Sequence, residues 1–119
     1  MKSLKSILVA VSLFISIIGF AANVIPNNEG VNLYYNFNDE LKLATLQPSE
    51  GDAYKGVINI PEQITFEGTT YDVATIATGA FKDCKDLTEV SIPKTITKIG
   101  GHAFKGCDNL VILYRGNSI

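Results

Sequence analysis

The sequence is short of the residues that most protein chemistry requires. Its 119 residues include one histidine and two cysteines, with no C-x-x-C spacing. A structural zinc site takes four such ligands, so neither a metal nor any other cofactor is expected. His102 could pair with Cys84 or Cys107 as a catalytic dyad only with a third, orienting group and a cleft. No such constellation is written in the chain, and no enzyme activity is expected. A surplus of positive charge is also missing. The formal net charge is -2, and removing Lys2 and Lys5 from the ten basic residues leaves eight against twelve acidic ones, or -4. That balance offers no electrostatic footprint for nucleic acid or anionic lipid. Lys82, Lys85, Lys94, Lys98 and Lys105 are interleaved with Asp83, Asp86, Glu89 and Asp108, as on a mixed, solvated surface.

Long apolar runs are absent except at the N-terminus. Ile7 to Phe20 is apolar apart from Ser12, Ser16 and Gly19. It follows Lys2 and Lys5 and ends in the small residues Ala21 and Ala22. A basic start, an apolar middle and a small-residue end make a secretory signal peptide, expected at residues 1–22. The run spans 14 residues, whereas a membrane-crossing helix needs about 20. An uncleaved anchor is the alternative. After cleavage no membrane insertion is expected, and the mature chain is secreted, periplasmic or at the cell surface.

What the sequence does have is a repeat. Ile76, Ala80, Phe81, Lys82, Cys84 and Leu87 recur as Ile99, Ala103, Phe104, Lys105, Cys107 and Leu110, all at an offset of 23. Upstream, Ile58-Asn59-Ile60-Pro61 with Ile64 mirrors Val90-Ser91-Ile92-Pro93 with Ile96 at an offset of 32. The nine extra residues surround Glu67-Gly68, a hairpin-turn signal. Within a unit, Leu87-x-x-Val90-x-Ile92 points apolar side chains inward while Glu89 and Ser91 point outward. Pro93 ends that strand. Ile96 and Ile99 form a second extended piece, Gly100-Gly101 turns the chain, and Ala103–Cys107 reads as a short helical turn. Gly106 is placed to leave that turn with positive φ. One such unit cannot bury its own apolar face, so copies must stack.

These residues resemble the BspA-like leucine-rich repeats, a type abundant in secreted and surface proteins of anaerobic gut and oral bacteria. The matching segments are Thr75–Pro93 and Ile96–Leu110, with Ile-Gly, Ala-Phe, Cys, Leu and Ile-Pro in order. The resemblance implies a right-handed solenoid used for adhesion or protein recognition, without catalysis. The expected fold is thus a short leucine-rich-repeat solenoid, mainly β with short helical turns, its parallel strands preceded by an N-terminal β-hairpin cap. Residues 23–55 are expected to hold a linker, Asn23 to Glu29, and a hairpin of Leu33–Phe37 with Leu41–Leu46. That hairpin would cover the open end of the repeats through Tyr34, Phe37 and Leu43. Residues 56–119 carry the repeats.

Two features depart from the family pattern. Two clear copies and a partial third are few, and the last copy decays, with Arg115 and Gly116 at the 23-residue counterparts of Ile92 and Pro93. A charge there blunts a terminal strand edge. A natural capping repeat and a truncated reading frame both fit this. Stacking would bring Cys84 and Cys107 into disulfide range, about 5 Å between Cα atoms. Two buried thiols acting as small hydrophobes is the preferred reading. His102 stands where the other copy has Gly79 and reads as a surface loop residue.

Outward positions on the three rungs are Val57 and Asn59, then Glu89 and Ser91, then Ile112 and Tyr114. They form the candidate protein-binding face, with Ile112 and Tyr114 as its anchors. The competing arrangement is a register shift that buries the last pair. The leading expectation is an exported, non-catalytic protein-recognition or adhesion module whose protein partner the sequence does not name. The alternative is a truncated or accessory fragment with a structural role, self-associating through its open C-terminal end.

Overall fold

The computed structural model describes residues 21–116. The expected signal peptide therefore lies, up to Phe20, outside the described residues. Among the described residues, nine strands form two sheets. In the first, β1 (Asn23–Pro26), β2 (Asn32–Asn38) and β3 (Leu43–Gln47) run antiparallel. β3 then lies parallel to β6 (Thr69–Ile76). The first half of β6 pairs antiparallel with β5 (Gln63–Phe66), and its end pairs in parallel with β8 (Lys98–Ile99). The second sheet is a parallel ladder of β4 (Gly56–Asn59), β7 (Leu87–Ile92) and β9 (Val111–Tyr114).

The two ladders are traversed three times by the chain. One pass runs β3, a corner at Tyr54, then β4; the next runs the end of β6, a corner at Phe81, then β7; the last runs β8, a corner at Phe104, then β9. Equivalent side chains line up across the passes. Leu46, Ile76 and Ile99 are in register in the first sheet. Ile58, Val90 and Ile112 are in register in the second. Between the sheets the rings of Tyr54, Phe81 and Phe104 form a column, with centroid separations of 5.0 and 5.2 Å. The last two rings are nearly parallel, 4° apart, because their residues occupy equivalent corner positions. Each large aliphatic side chain buried here contributes roughly 1.5–3 kcal/mol relative to exposure. Leu33, Tyr35, Leu46, Ile58, Ile76, Phe81, Leu87 and Val90 are all fully buried.

Two elements differ from the sequence-based expectation. Asn23 to Glu29 does not form a linker, since Asn23–Pro26 is a strand paired with β2, Ile25 opposite Leu33. Asn27 closes that turn: its side-chain oxygen accepts from the N–H groups of Glu29 and Val31 at 3.0 and 2.9 Å. An asparagine bonding its own following backbone mimics a turn, and the composition alone read as a loop. Within the β2–β3 hairpin Tyr34, Phe37 and Leu43 are half-buried, while Leu33, Tyr35, Ala44 and Leu46 are fully buried.

The corners contain no helix, and none is present among the described residues. The helical turn expected at Ala103–Cys107 is instead a pair of successive turns, closed by Lys105 N–H to His102 O and Cys107 N–H to Phe104 O. The preceding corner shows why. Alternate N–H groups of Ala80, Lys82 and Cys84 bond locally, three residues back. Those of Gly79, Phe81 and Asp83 bond sideways to Gly101, Ala103 and Lys105 of the next pass, at 2.7 to 3.0 Å. A helix would need all of these donors along one axis. Left-handed residues bracket each corner: Gly79 and His102 at its start (φ 66° and 57°), Asp83 and Gly106 at its end (φ 59° and 82°). Glycine takes this conformation freely, whereas His and Asp adopt it at some cost.

Candidate protein-interaction face

The outward side of the β4-β7-β9 ladder is built from two rows. Val57, Glu89 and Val111 are in register in the first, Asn59, Ser91 and Leu113 in the second. Val57, Val111 and Leu113 are 50%, 55% and 44% exposed. Glu89 and Asn59 are half-buried. Ser91 is 3% exposed, so it does not present the outward polar group expected of it. It is the smallest side chain of its row, on the central strand, flanked by Asn59 and Leu113.

The third rung differs from the sequence reading by one residue. Ile112 is in register with buried Val90 and packs against the core, and Tyr114 is in register with buried Ile92. Neither belongs to the outward rows. Tyr114 nevertheless remains largely exposed, because no further strand covers its side of the ladder among the described residues. The cause lies in the middle strand. Gly56 pairs with Leu87, but Val57 pairs with Glu89, so Thr88 is an extra residue. Leu87 and Val90 are core residues three apart, while Leu110 and Ile112 achieve the same two apart. After Leu110 the repeat offset therefore drops from 23 to 22. A one-residue slip sends every side chain of a strand to the opposite face. Val111-Ile112-Leu113-Tyr114 is apolar throughout and gives no alternation from which to read the slip. The Gly56-Val57-Ile58 spacing of the first rung was the available signal.

Arg115 consequently stands at the position of Pro93 and not of Ile92. Its N–H donates to Ile92 O at 2.8 Å, and its guanidinium crosses the end of the sheet to the Ile60 carbonyl. Beside it the Asn27 amide donates to Asn59 O at 3.0 Å. The first described turn and the residue that follows the last described strand thus converge on adjacent carbonyls of the first rung.

The remaining candidates for chemistry are dispersed. Cys84 and Cys107 are free thiols. Cys84 is buried, and the Cys107 thiol donates to Phe81 O at 2.9 Å. Burial raises both thiols above their ordinary pKa, which keeps them protonated and poorly nucleophilic. His102 is exposed at its corner. Among the described residues no three His, Cys, Asp or Glu side chains gather as a metal site would require. No helix among them is long and apolar enough to cross a membrane.

A protein-family model described as BspA type leucine rich repeat region (6 copies) matches residues 51–119. The chain belongs to the BspA-type leucine-rich-repeat family. Solved structures of bacterial leucine-rich repeat proteins superpose on it. A leucine-rich repeat protein from Bacteroides ovatus is 33% identical with a TM-score of 0.64, covering 73% of this chain and 23% of its own. A leucine rich cell surface protein from Faecalibacterium prausnitzii is 27% identical with a TM-score of 0.63, covering 83% of this chain and 25% of its own. A leucine-rich repeat protein from Bacteroides capillosus is 26% identical with a TM-score of 0.62, covering 76% and 64%. The chain spans about a quarter of the first two relatives. No curated protein matches it. The BspA-type assignment agrees with the mainly β architecture.

Proposed function

We propose that this BspA-type chain is an exported, non-catalytic protein-recognition module. Its contact surface is the outward side of the β4-β7-β9 ladder. The observation that carries this reading is the exposure of Val57, Val111 and Leu113 beside the half-buried polar side chains of Glu89 and Asn59. Exposed apolar groups set among polar ones are the usual composition of a recognition patch. The N-terminal basic and apolar segment supports export, and the cell-surface description of the Faecalibacterium relative agrees with that location. In this reading β1 and β2 act as the cap of a short solenoid, closing the end that β3 would otherwise leave open. Three parallel strands span only about 10 Å between the outer two, which is small for a standard interface of about 800 Å² per partner. One copy should therefore bind weakly.

The test is site-specific photocrosslinking on the surface of cells that carry the protein. A probe at Val57 should capture a discrete protein adduct, and the same probe at His102, on a corner, should not. Equal capture from both positions, or none from Val57, would contradict the assignment of the face.

A further inference from the structure

We propose that two copies of this chain pair through β9, antiparallel across a twofold axis at Leu113, to make one continuous six-stranded sheet. The hydrogen-bonding pattern of the ladder sets the geometry. Arg115 N–H donates to Ile92 O on β7 at 2.8 Å. Peptide groups alternate sides along a strand, so those of Leu113 and Val111 also face β7, and those of Ile112 and Tyr114 face the free edge. β9 has no partner on that edge among the described residues. Two edge-facing residues spaced by one are self-complementary about the residue between them. Ile112 of each copy then exchanges both backbone hydrogen bonds with Tyr114 of the other, four bonds in all. Leu113 meets its own copy as a non-hydrogen-bonded pair, where Cα atoms lie about 4.5 Å apart. A closed twofold of this kind leaves no new edge at the seam.

Side-chain chemistry favours a second copy as the occupant. Exposed edges are ordinarily guarded by charge, proline or a bulge. β9 reads Val-Ile-Leu-Tyr, and the one charge that follows, Arg115, is turned back onto Ile60 O. In the proposed register Val111 of one copy lies opposite Arg115 of the other, and Glu89 flanks Val111 on the same outward row. Glu89 and Arg115 have no ion-pair partner among the described residues, where the one pair found is Lys85–Asp108. Released from Ile60 O, the Arg115 guanidinium of one copy reaches across Val111 toward Glu89 of the other, and no like charges face each other. The pairing also joins two recognition faces edge to edge, and so doubles the small patch of a single chain. It stands independently of what that patch binds.

The experiment is light scattering after size-exclusion chromatography, on the full chain expressed with its own N-terminal segment and purified as the cell leaves it. The expected result is a dimer that dissociates on dilution. Tyr114→Pro removes an edge-facing N–H without touching the bonds to β7. It should weaken dimerisation at least tenfold while leaving the circular dichroism unchanged. Leu113→Cys, at an exposed position, should form an intermolecular disulfide in oxidised glutathione, with peptide mapping joining position 113 of the two copies. A chain that stays monomeric into the millimolar range would overturn the proposal and leave the edge open to a foreign strand. So would a dimer that Tyr114→Pro leaves intact, or one in which Leu113→Cys fails to cross-link. If Tyr114→Pro does not fold, the Leu113→Cys result decides.

Discussion

The middle and last passes of the chain carry the same residues in the same roles, yet they are buried to very different degrees. Phe81, Cys84, Leu87 and Val90 are fully or nearly fully buried. Their counterparts Phe104, Cys107, Leu110 and Ile112 are only half-buried. The difference comes from neighbours and not from residue type. The middle pass is sandwiched, with Tyr54, Leu46 and Ile58 on one side and the last pass on the other. The last pass has a neighbour on one side only among the described residues. In a repeat architecture the stability of each unit is an intrinsic part plus the interfaces it makes, so one sequence motif should be worth different amounts at its two positions.

Substitutions at paired positions probe that inequality directly, and the largest effect is expected in the aromatic column. Phe81→Ala should cost about 3–5 kcal/mol, as full truncation of a buried aromatic does, and Phe104→Ala less than half as much. Urea unfolding of both variants measures this, and equal costs would remove the distinction between the passes. Next come two tyrosines at the well-covered end. The Tyr54 hydroxyl donates to Gln47 O at 2.7 Å and accepts from Tyr34 N–H at 3.1 Å. The Tyr35 hydroxyl is buried without a partner among the described residues. Tyr54→Phe should therefore destabilise by about 1–2 kcal/mol, while Tyr35→Phe should be neutral or stabilising by up to about 1 kcal/mol.

Of similar size is the effect at one member of a glycine pair on the last corner. A Cβ added at Gly106 would fall 2.3 Å from Asp83 Oδ1, and the backbone there has φ 82°. Gly106→Ala should cost about 1–2 kcal/mol. Gly101→Ala meets nothing within 4 Å and has no positive φ, so its melting temperature should match that of the parent. The gentlest probe is pH. Both thiols are raised by burial above the ordinary 9.0. A group whose folded pKa is raised contributes stability in its protonated form, and that contribution fades as pH rises through the folded value. Stability should thus decline from about pH 9 upward. A thiol-reactive reagent should label half-buried Cys107 before buried Cys84.

How much of this was legible in the sequence depends on the residue. The repeated corner was readable because Ala80-Phe81-Lys82 and Ala103-Phe104-Lys105 are identical, and the contacts that stack Phe81 on Phe104 select for that identity. The role of β3 as the first rung of the parallel ladder was not. Leu46 takes the place of Ile76 across the β5–β6 hairpin, which stretches the spacing, and Tyr54 stands in for Phe81. Burial selects for size and shape at such positions and leaves no identity to detect. β1 was hidden because Asn27, Asn28 and Gly30 make its turn and dominate the local composition. The candidate face was half legible. Val57, Asn59 and Glu89 lie on the outward rows, whereas the last rung was displaced by the single extra residue at Thr88.

That displacement decides which side chains of the last rung face solvent, and a matched pair of charges tests it most directly. Ile112→Glu and Leu113→Glu should be unfolded thermally and in urea beside the parent chain, all diluted to the monomeric range so that dimerisation does not enter. With Ile112 in the core column, its replacement should cost at least about 2 kcal/mol for burying an unpaired charge, and Leu113→Glu should change stability by no more than about 0.5 kcal/mol. The reverse order would put β9 back on the 23-residue register, with Ile112 and Tyr114 outward.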